Sequence, residues 1–499
     1  MISRRKKLYL NTTVAFILQL VTFVCGFILP RYFLLYFGSD INGLVTSISR
    51  FLSVISFLEF GVGPVIQSNL YSPLANRDSI RTSQIIVSAD KFYKRIALIF
   101  VVYIGILFFV YPLLNKQFDF IFTASLILIL SISTFAQYYF GITYQVFLDA
   151  DQKLYIGSSL QILTVILNTF LCIILMKLGF SVHIVKLVSS LVFVIRPIML
   201  NLYVKSHYNL DFNVTYDDEP IKQKWNGFAQ HIAAVVTEEI DTFLLTFFSG
   251  YQSVSIYSIY FMVTNGVTKI VMTSVSGLES FWGNMIAKCE NVLLLKTFDW
   301  VECLIHAGVS FLYSVTIVLI VPFVSVYVSG APDSSAYLLP FFGGTLTLAY
   351  AFQCLRVPYF RIIKAAGHYK QTQNGAFISM FINIFLSLVL IFNYGIAGAS
   401  IGTLFAMLFH TVYFVFYLRK NIIHRSIKYF FNHLIVDCIS FVLILFFTKH
   451  FCMYEISYLA WIFYAMKVCL VSFVVVLSLN LLFYRNQYKS LLKKLLNKD

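Results

Sequence analysis

Residues 42–67 read NGLVTSISRFLSVISFLEFGVGPVIQ. Wound as a helix at about 100° per residue, this run places Asn42, Thr46, Ser53, Ser56, Gly63 and Gln67 within about 60° of Ser49, with Arg50 and Glu59 on the two edges of the stripe. The remaining surface is mostly Leu, Val, Ile and Phe. About 20 mostly apolar residues cross a bilayer at a rise of about 1.5 Å each, so the pattern predicts a spanning helix with one polar face. Lipid cannot solvate such a face, which must line a helix interface or a water-filled cavity. The rest of the 499-residue chain agrees: 59% is hydrophobic, 12% charged, and the mean hydropathy is +0.81. Soluble proteins carry about a quarter charged residues, which excludes a water-soluble fold.

Fourteen apolar segments follow, centred near residues 18, 57, 103, 132, 166, 192, 236, 270, 313, 348, 381, 407, 439 and 471. The net charge of +15 is read from its placement. With the N-terminus inside, 27 of the 37 Lys and Arg fall in cytoplasmic segments, four (Arg31, Lys116, Lys177, Lys449) fall outside, and six lie within helices. That bias specifies orientation, with both termini cytoplasmic, and makes the positive charge a mark of topology and of contact with anionic lipid. No nucleic acid is implied.

The apolar run near residues 8–29 has the basic start of a signal peptide but no small-x-small cleavage site, so it is expected to remain as the first spanning helix. The eight cysteines are scattered, with no C-x-x-C pair and no neighbouring His, which predicts free thiols and no metal site. The longest connections, 71–91 and 205–224, are cytoplasmic, and outward loops stay within about a dozen residues, which weighs against a membrane polymerase or a receptor. No nucleophile with an adjacent base and no nucleotide-binding loop supports an enzyme.

An internal repeat recurs at an offset of 215: Tyr144, Ala150, Asn168 and Phe170 match Tyr359, Ala365, Asn383 and Phe385. A weaker echo sets Leu34, Leu35, Phe37 and Gly38 against Leu244, Leu245, Phe248 and Gly250. Six helices separate the copies, so both keep one orientation, and a parallel repeat about the membrane normal is expected, with substrate handled between halves. The expected organisation is an N-terminal lobe over 1–210, a C-terminal lobe over 211–425, and two helices with a basic tail over 426–499.

Helix 8 repeats the polar stripe: Ser258, Asn265, Lys269, Thr273, Ser276 and Ser280 share a face, with Glu279 at its edge. Helix 7, over 225–248, carries His231, Glu238 and Thr242 on one face with Glu239 and Asp241 flanking. An ionisable group at mid-helix costs about 2.5–3.5 kcal/mol on insertion scales, so these carboxylates need a cation, water or a proton. Arg50, Lys269, Arg196 and Arg356 are the deep cations. The structural alternatives are plain: Ser, Thr and Gly stripes let helices approach closely, and Arg196 and Arg356 lie near enough to a helix end to snorkel.

Through blocks such as Pro30-Arg31-Tyr32-Phe33, Leu58-Glu59-Phe60-Gly61-Val62-Gly63, Tyr257-Ser258-Ile259-Tyr260 and Gly395-Ile396-Ala397-Gly398-Ala399, the chain resembles the O-antigen and capsule repeat-unit flippases, known as polysaccharide biosynthesis proteins, within the multidrug/oligosaccharidyl-lipid/polysaccharide exporter superfamily. The likeness rests on Asn11, Pro30-Arg31-Tyr32-Phe33, Phe37-Gly38, Asn42-Gly43, Leu58-Glu59-Phe60-Gly61-Val62-Gly63 and Leu70-Tyr71-Ser72-Pro73-Leu74-Ala75. It continues at Asp241, Gly250 and Tyr257-Ser258-Ile259-Tyr260, then from Lys364-Ala365-Ala366-Gly367-His368 to Gln373, and at Asn383, Gly395-Ile396-Ala397-Gly398-Ala399 and Gly402-Thr403. Where many members have Asp before the Gly-x-Gly of helix 2, this chain has Glu59.

The resemblance implies an all-α integral membrane protein of fourteen transmembrane helices: two six-helix lobes in a V around a polar cavity, plus two C-terminal helices, in the bacterial cytoplasmic membrane. The implied substrate is an oligosaccharide on a polyprenyl pyrophosphate, moved outward by alternating access for surface polysaccharide assembly, with membrane lipids, a polysaccharide polymerase and glycosyltransferases as partners. On this view Arg31, Arg50, Lys269, Arg196 and Arg356 meet the pyrophosphate. Asn42, Ser49, Ser53, Ser56, Glu59, Asn265, Thr273 and Ser276 wall the cavity. No cofactor is expected; the driving force is the membrane potential, about 2.3 kcal/mol per charge per 100 mV, or an H+ or Na+ gradient read by Glu238, Glu239 and Asp241. The alternatives are a multidrug or small-cation antiporter of the same superfamily and a membrane-embedded glycosyl or acyl transferase.

Overall fold

The computed structural model describes residues 4–59, 61–114, 117–216, 220–221, 228–275 and 277–485. These are helical throughout, with no strand among them, and eleven helical stretches are long and apolar enough to cross a membrane. The chain divides into two compact units, Met1–Val235 with Gly250–Val254, and Val236–Ser249 with Ser255–Asp499.

Unit 1 holds α1 (Arg4–Ser53), α2 (Val62–Asn76), α3 (Ser79–Leu114), α4 (Phe120–Ala136), α5 (Ile142–Ala150), α6 (Leu154–Lys177) and α7 (Val182–His207). Fifty residues are too long for one crossing, and α1 is two helices joined at Gly38, whose φ of 77° departs from the helix. Leu44, Ile48, Ile66, Leu70, Phe100 and Phe147 meet in a buried core. Side chains such as Leu98, Val102 and Ile106 of α3 face outward, as a helix bathed in lipid requires.

Most of α8 (Phe228–Phe248) and α9 (Gly250–Ser274) belong to unit 2, which continues with α10 (Leu278–Ala287), α11 (Asn291–Tyr327), α12 (Pro340–Leu355), α13 (Val357–Ala365), α14 (Tyr369–Tyr394), α15 (Ile396–Asn421), α16 (Lys428–Thr448) and α17 (Tyr458–Phe483). The packing order repeats. In unit 1, α6 packs on α7, α7 on α4 and α4 on α3; in unit 2, α14 packs on α15, α15 on α12 and α12 on α11. The last two helices, α16 and α17, pack on α11.

Backbone irregularities carry the repeat further than side chains do. Positive φ recurs in pairs 212 to 216 residues apart: Gly38 with Gly250, Arg77 with Cys289, Gln152 with Gly367, and Gly179 with Gly395. The helix breaks recur as well. The polar stripe of residues 42–67 was expected on one continuous helix, but the helix gives way to a 3-10 turn at Val54–Glu59 and restarts only after Gly61, at φ 70°. Gly63 and Gln67 therefore fall out of register with Asn42 and Ser49, because the 3.6-residue period does not survive the turn. Gly61 takes a left-handed conformation that side-chain-bearing residues avoid, and Pro64, in the first turn of α2, needs no donor there. Helix 8 is likewise divided, α9 ending at Ser274 and α10 starting at Leu278, so Ser280 does not continue the face of Lys269. A π-helical turn at Gln137–Gly141 separates α4 from α5, and 215 residues beyond its last residue Arg356 separates α12 from α13, with Pro358 in the first turn of the new helix.

Candidate functional site

In unit 1 the two breaks meet. Tyr138, in the π-helical turn, donates its hydroxyl to Glu59 at the end of the 3-10 turn. Two more tyrosines brace the same helix: Tyr103 donates to the Phe51 carbonyl at 2.8 Å and Tyr111 to Ser47 at 2.7 Å. Broken backbone inside a membrane is tolerated where it is buried or faces water, and a carboxylate fixed at the break is the chemistry of a binding site or hinge. Of the expected wall residues in this unit, Asn42 is buried, Ser53 and Ser56 are half-buried and Ser49 is exposed. Ser49 and Ser53 turn their hydroxyls onto their own helix, at Val45 O (2.7 Å) and Arg50 O (2.6 Å). Arg31 and Arg50 are half-buried. Arg196 reaches from α7 to Gln145 of α5.

In unit 2, Asn265 is half-buried on α9 while Lys269 and Thr273 are exposed, Thr273 Oγ1 donating to the Lys269 carbonyl at 2.8 Å. Arg356 Nη1 lies 2.6 Å from His410 Nδ1 of α15. The Glu238 and His231 side chains and Ser276 lie outside the described residues, as do the basic residues at 222, 224 and beyond 485. Glu239 is buried.

The structure gathers most around Asp241. Its side chain is 1% exposed, and its Oδ2 accepts from Tyr257 (2.9 Å) on α9 and Thr403 (2.6 Å) on α15. Thr403 Oγ1 is also 3.0 Å from Ala399 O and 3.4 Å from Asn383 Oδ1. Ser387 Oγ is 2.9 Å from the same Asn383 oxygen and 3.2 Å from Ala399 O. Three hydroxyls, of Tyr257, Thr403 and Ser387, and the Asn383 amide group surround a carboxylate, an amide oxygen and a carbonyl. Asp241 Oδ1 and Asn383 Nδ2 have no hydrogen-bond partner among the described residues. A buried, oxygen-rich pocket with one negative charge is the donor set a hard monovalent cation or a proton takes.

Close helix approach builds this cluster. Gly398 and Gly402 stand four apart on α15, and a Cβ on either would come within 2.6 Å of α14 backbone, at Ile391 N and Ser387 N respectively. This small-xxx-small seam brings Ala399 O and Thr403 onto Asn383 and Ser387. Asp241 could be singled out on its own helix; its partners stood in the sequence only as repeat and family landmarks.

A second buried cluster has no counterpart among the expected sites. Glu302 of α11, 0% exposed, is held by Tyr359 of α13 and by Arg425, whose Nε also pairs with Asp299 at 2.8 Å. One turn on, His306 Nδ1 meets Asp437 of α16 at 2.6 Å, which ties α16 to α11. These contacts fasten α16 to the second repeat.

No family model and no curated protein matches the chain by sequence. Solved structures do. The chain is similar to the lipid II flippase MurJ in an inward closed conformation, with a TM-score of 0.67, 16% identity, and coverage of 96% of this chain and 99% of that one. It is similar to a multidrug resistance MATE family transporter of the MOP superfamily in its inward-facing conformation (0.62, 12%, 83% and 97%) and in its outward-facing conformation (0.53, 12%, 81% and 95%). At these identities the likeness speaks for fold: the chain is a multi-pass, all-helical membrane protein with a MOP-type fold.

Proposed function

We propose that the chain is a flippase for lipid-linked oligosaccharides, carrying polyprenyl-pyrophosphate-linked repeat units from the cytoplasmic to the outer leaflet for surface polysaccharide assembly. The observation that carries this reading is the extent of the likeness: the flippase match takes in 96% of the chain, whereas the exporter matches stop at 83% and 81%. That is the difference expected if α16 and α17 have counterparts in the flippase and none in the exporters.

A buried hydroxyl without a partner costs roughly 2–7 kcal/mol in hydrocarbon, so a glycan needs a wet path while its tail stays in lipid. Arg31, Arg50 and Lys269 supply cations for the pyrophosphate; Arg196 and Arg356, already engaged with Gln145 and His410, brace their own units. The Asp241 cluster binds the coupling cation, Na+ or H+, and alternating access links its occupancy to the direction in which the substrate site opens.

The test is delivery of labelled glycan to the outer leaflet in cells lacking the wild-type chain. Arg50→Ala and Lys269→Ala should each stop delivery while the protein still inserts in the membrane. Normal delivery by both, together with altered susceptibility to cationic drugs, would establish the exporter instead.

A further inference from the structure

At the end of unit 1 that the charge bias assigns to the cytoplasm lies a cavity of about 930 Å³. Sites for small molecules run from about 300 to 1,000 Å³. Its wall joins Lys7 of α1, the turn between α2 and α3 at Arg77, the turn between α5 and α6 at residues 151–153, and Tyr208 just beyond α7. Two long helices begin on it, α3 at Ser79 and α6 at Leu154.

Three cations line this space, Lys7, Arg77 and Lys153, against two carboxylates. Asp78 is committed to the start of α3, its Oδ1 accepting from Arg81 N at 2.9 Å. Asp151 sits between Lys7 Nζ (3.2 Å) and Lys153 Nζ (3.0 Å) and accepts from Tyr208, which in turn receives a 2.6 Å hydrogen bond from Lys153. The frame is preformed. Asn11 Nδ2 donates to Gln152 O at 3.0 Å and its Oδ1 accepts from Tyr155 N at 2.9 Å, which locks the turn that carries Lys153 and gives the family-like Asn11 a role. Burial pushes the Asp151 carboxyl up, but Tyr208, Lys153 and Lys7 outweigh it and leave it below its ordinary 3.8. At neutral pH an internal anion therefore bridges two ammonium groups.

We propose that this cavity binds a phosphoryl group, on a solute or on a lipid headgroup, through Lys7, Lys153 and Arg77, and that Asp151 is the built-in competitor it displaces. Three cations lining one cavity suit a multiply charged oxyanion, and the volume leaves room for what the phosphoryl group is attached to. The site goes beyond the flippase reading and does not rest on it, because the test reads binding and not transport.

The full-length protein in phosphatidylcholine nanodiscs is titrated calorimetrically with inorganic pyrophosphate at neutral pH. Saturable binding is expected, weakened about tenfold by Lys153→Gln and by Arg77→Asn, the scale of one charge-assisted hydrogen bond, and tightened by Asp151→Asn. Asn tolerates the left-handed backbone at Arg77, so that variant keeps the turn even where Asp151→Asn lowers the melting temperature. Adding phosphatidylglycerol to the nanodisc separates the sources: it competes with pyrophosphate if the natural ligand is a headgroup, and leaves binding unchanged if it is a solute. No saturable binding, or equal affinity in the wild type and all three variants, would overturn the proposal.

Discussion

The two units share a skeleton and differ in what they seal inside it. In unit 2, Asn383 Oδ1 and Ala399 O both face the Ser387 hydroxyl, and Asp241 completes the group. In unit 1 the matching positions are Asn168, Val185 O and Cys172, whose thiol lies 3.4 Å from the Asn168 oxygen and 3.8 Å from the Val185 carbonyl. Aligning Gly38 with Gly250 puts Leu29 where Asp241 stands. A lysine is present instead: Lys186 Nζ lies 4.2 Å from the Phe33 ring centroid, and its charge acts on the Cys172 thiol. One copy carries an ammonium and the other a carboxylate among hydroxyl, amide and carbonyl groups. Under the function proposed above, a mobile cation would sit with the carboxylate of the second copy, and a duplicated scaffold would carry one coupling site.

The largest effect expected to test this contrast is that of Asp241→Asn. Glycan flipping in proteoliposomes should lose its dependence on an imposed Na+ or H+ gradient, a change of about tenfold or more for an ordinary coupling energy. Persistence of the full gradient effect would end the distinction between the units. Gly402→Ala comes next. Its methyl group would overlap Ser387, so α14 and α15 must part at a cost of about 1–3 kcal/mol, read as a lower melting temperature. Setting Val185 against Ala399 puts Val188 where Gly402 stands, and α7 has no glycine, so its seam already holds a branched side chain. Gly402→Val should therefore be worse than Gly402→Ala, while Val188→Ala, at a half-buried site, should cost about 1 kcal/mol or less. Lys186→Met should leave the ion dependence of flipping intact and shift stability by no more than about 2 kcal/mol, the upper range of a desolvated cation–π contact. The smallest effect is at Asp151. Because its carboxyl titrates below 3.8 in the fold, the ion pair's stabilisation is fully present above that pH and is lost as pH falls through the lowered value; wild-type and Asp151→Asn melting curves should converge there.

Helices, their apolar faces and the internal duplication were legible in the sequence because each is written in local composition or in a fixed offset. The breaks were not. Gly61 and Gly63 look alike in the string, yet only Gly61 has a positive φ, and the stripe from Asn42 to Gln67 assumed a period that residues 54–61 interrupt. Pairings across helices were hidden for a related reason: Glu302 with Arg425 and His306 with Asp437 are more than a hundred residues apart, and helical periodicity orders residues on one rod only. Asp241 stood out as an ion on an apolar helix. Its enclosure by Tyr257, Ser387 and Thr403 depends on the approach of α14 to α15, which two glycines permit but do not announce.

Beyond each interrupted helix lies a short rod, and the rods are paired: α2 lies against α5, and α10 against α13. Each rod begins just past an interruption, where the regular hydrogen-bond ladder is already open and flexure costs least. A unit so made is not one solid lever. The short rods can pivot as a two-pronged flap while the rest of the unit keeps its packing, so under the proposed mechanism opening at that end and holding an ion at Asp241 would not strain the same joints.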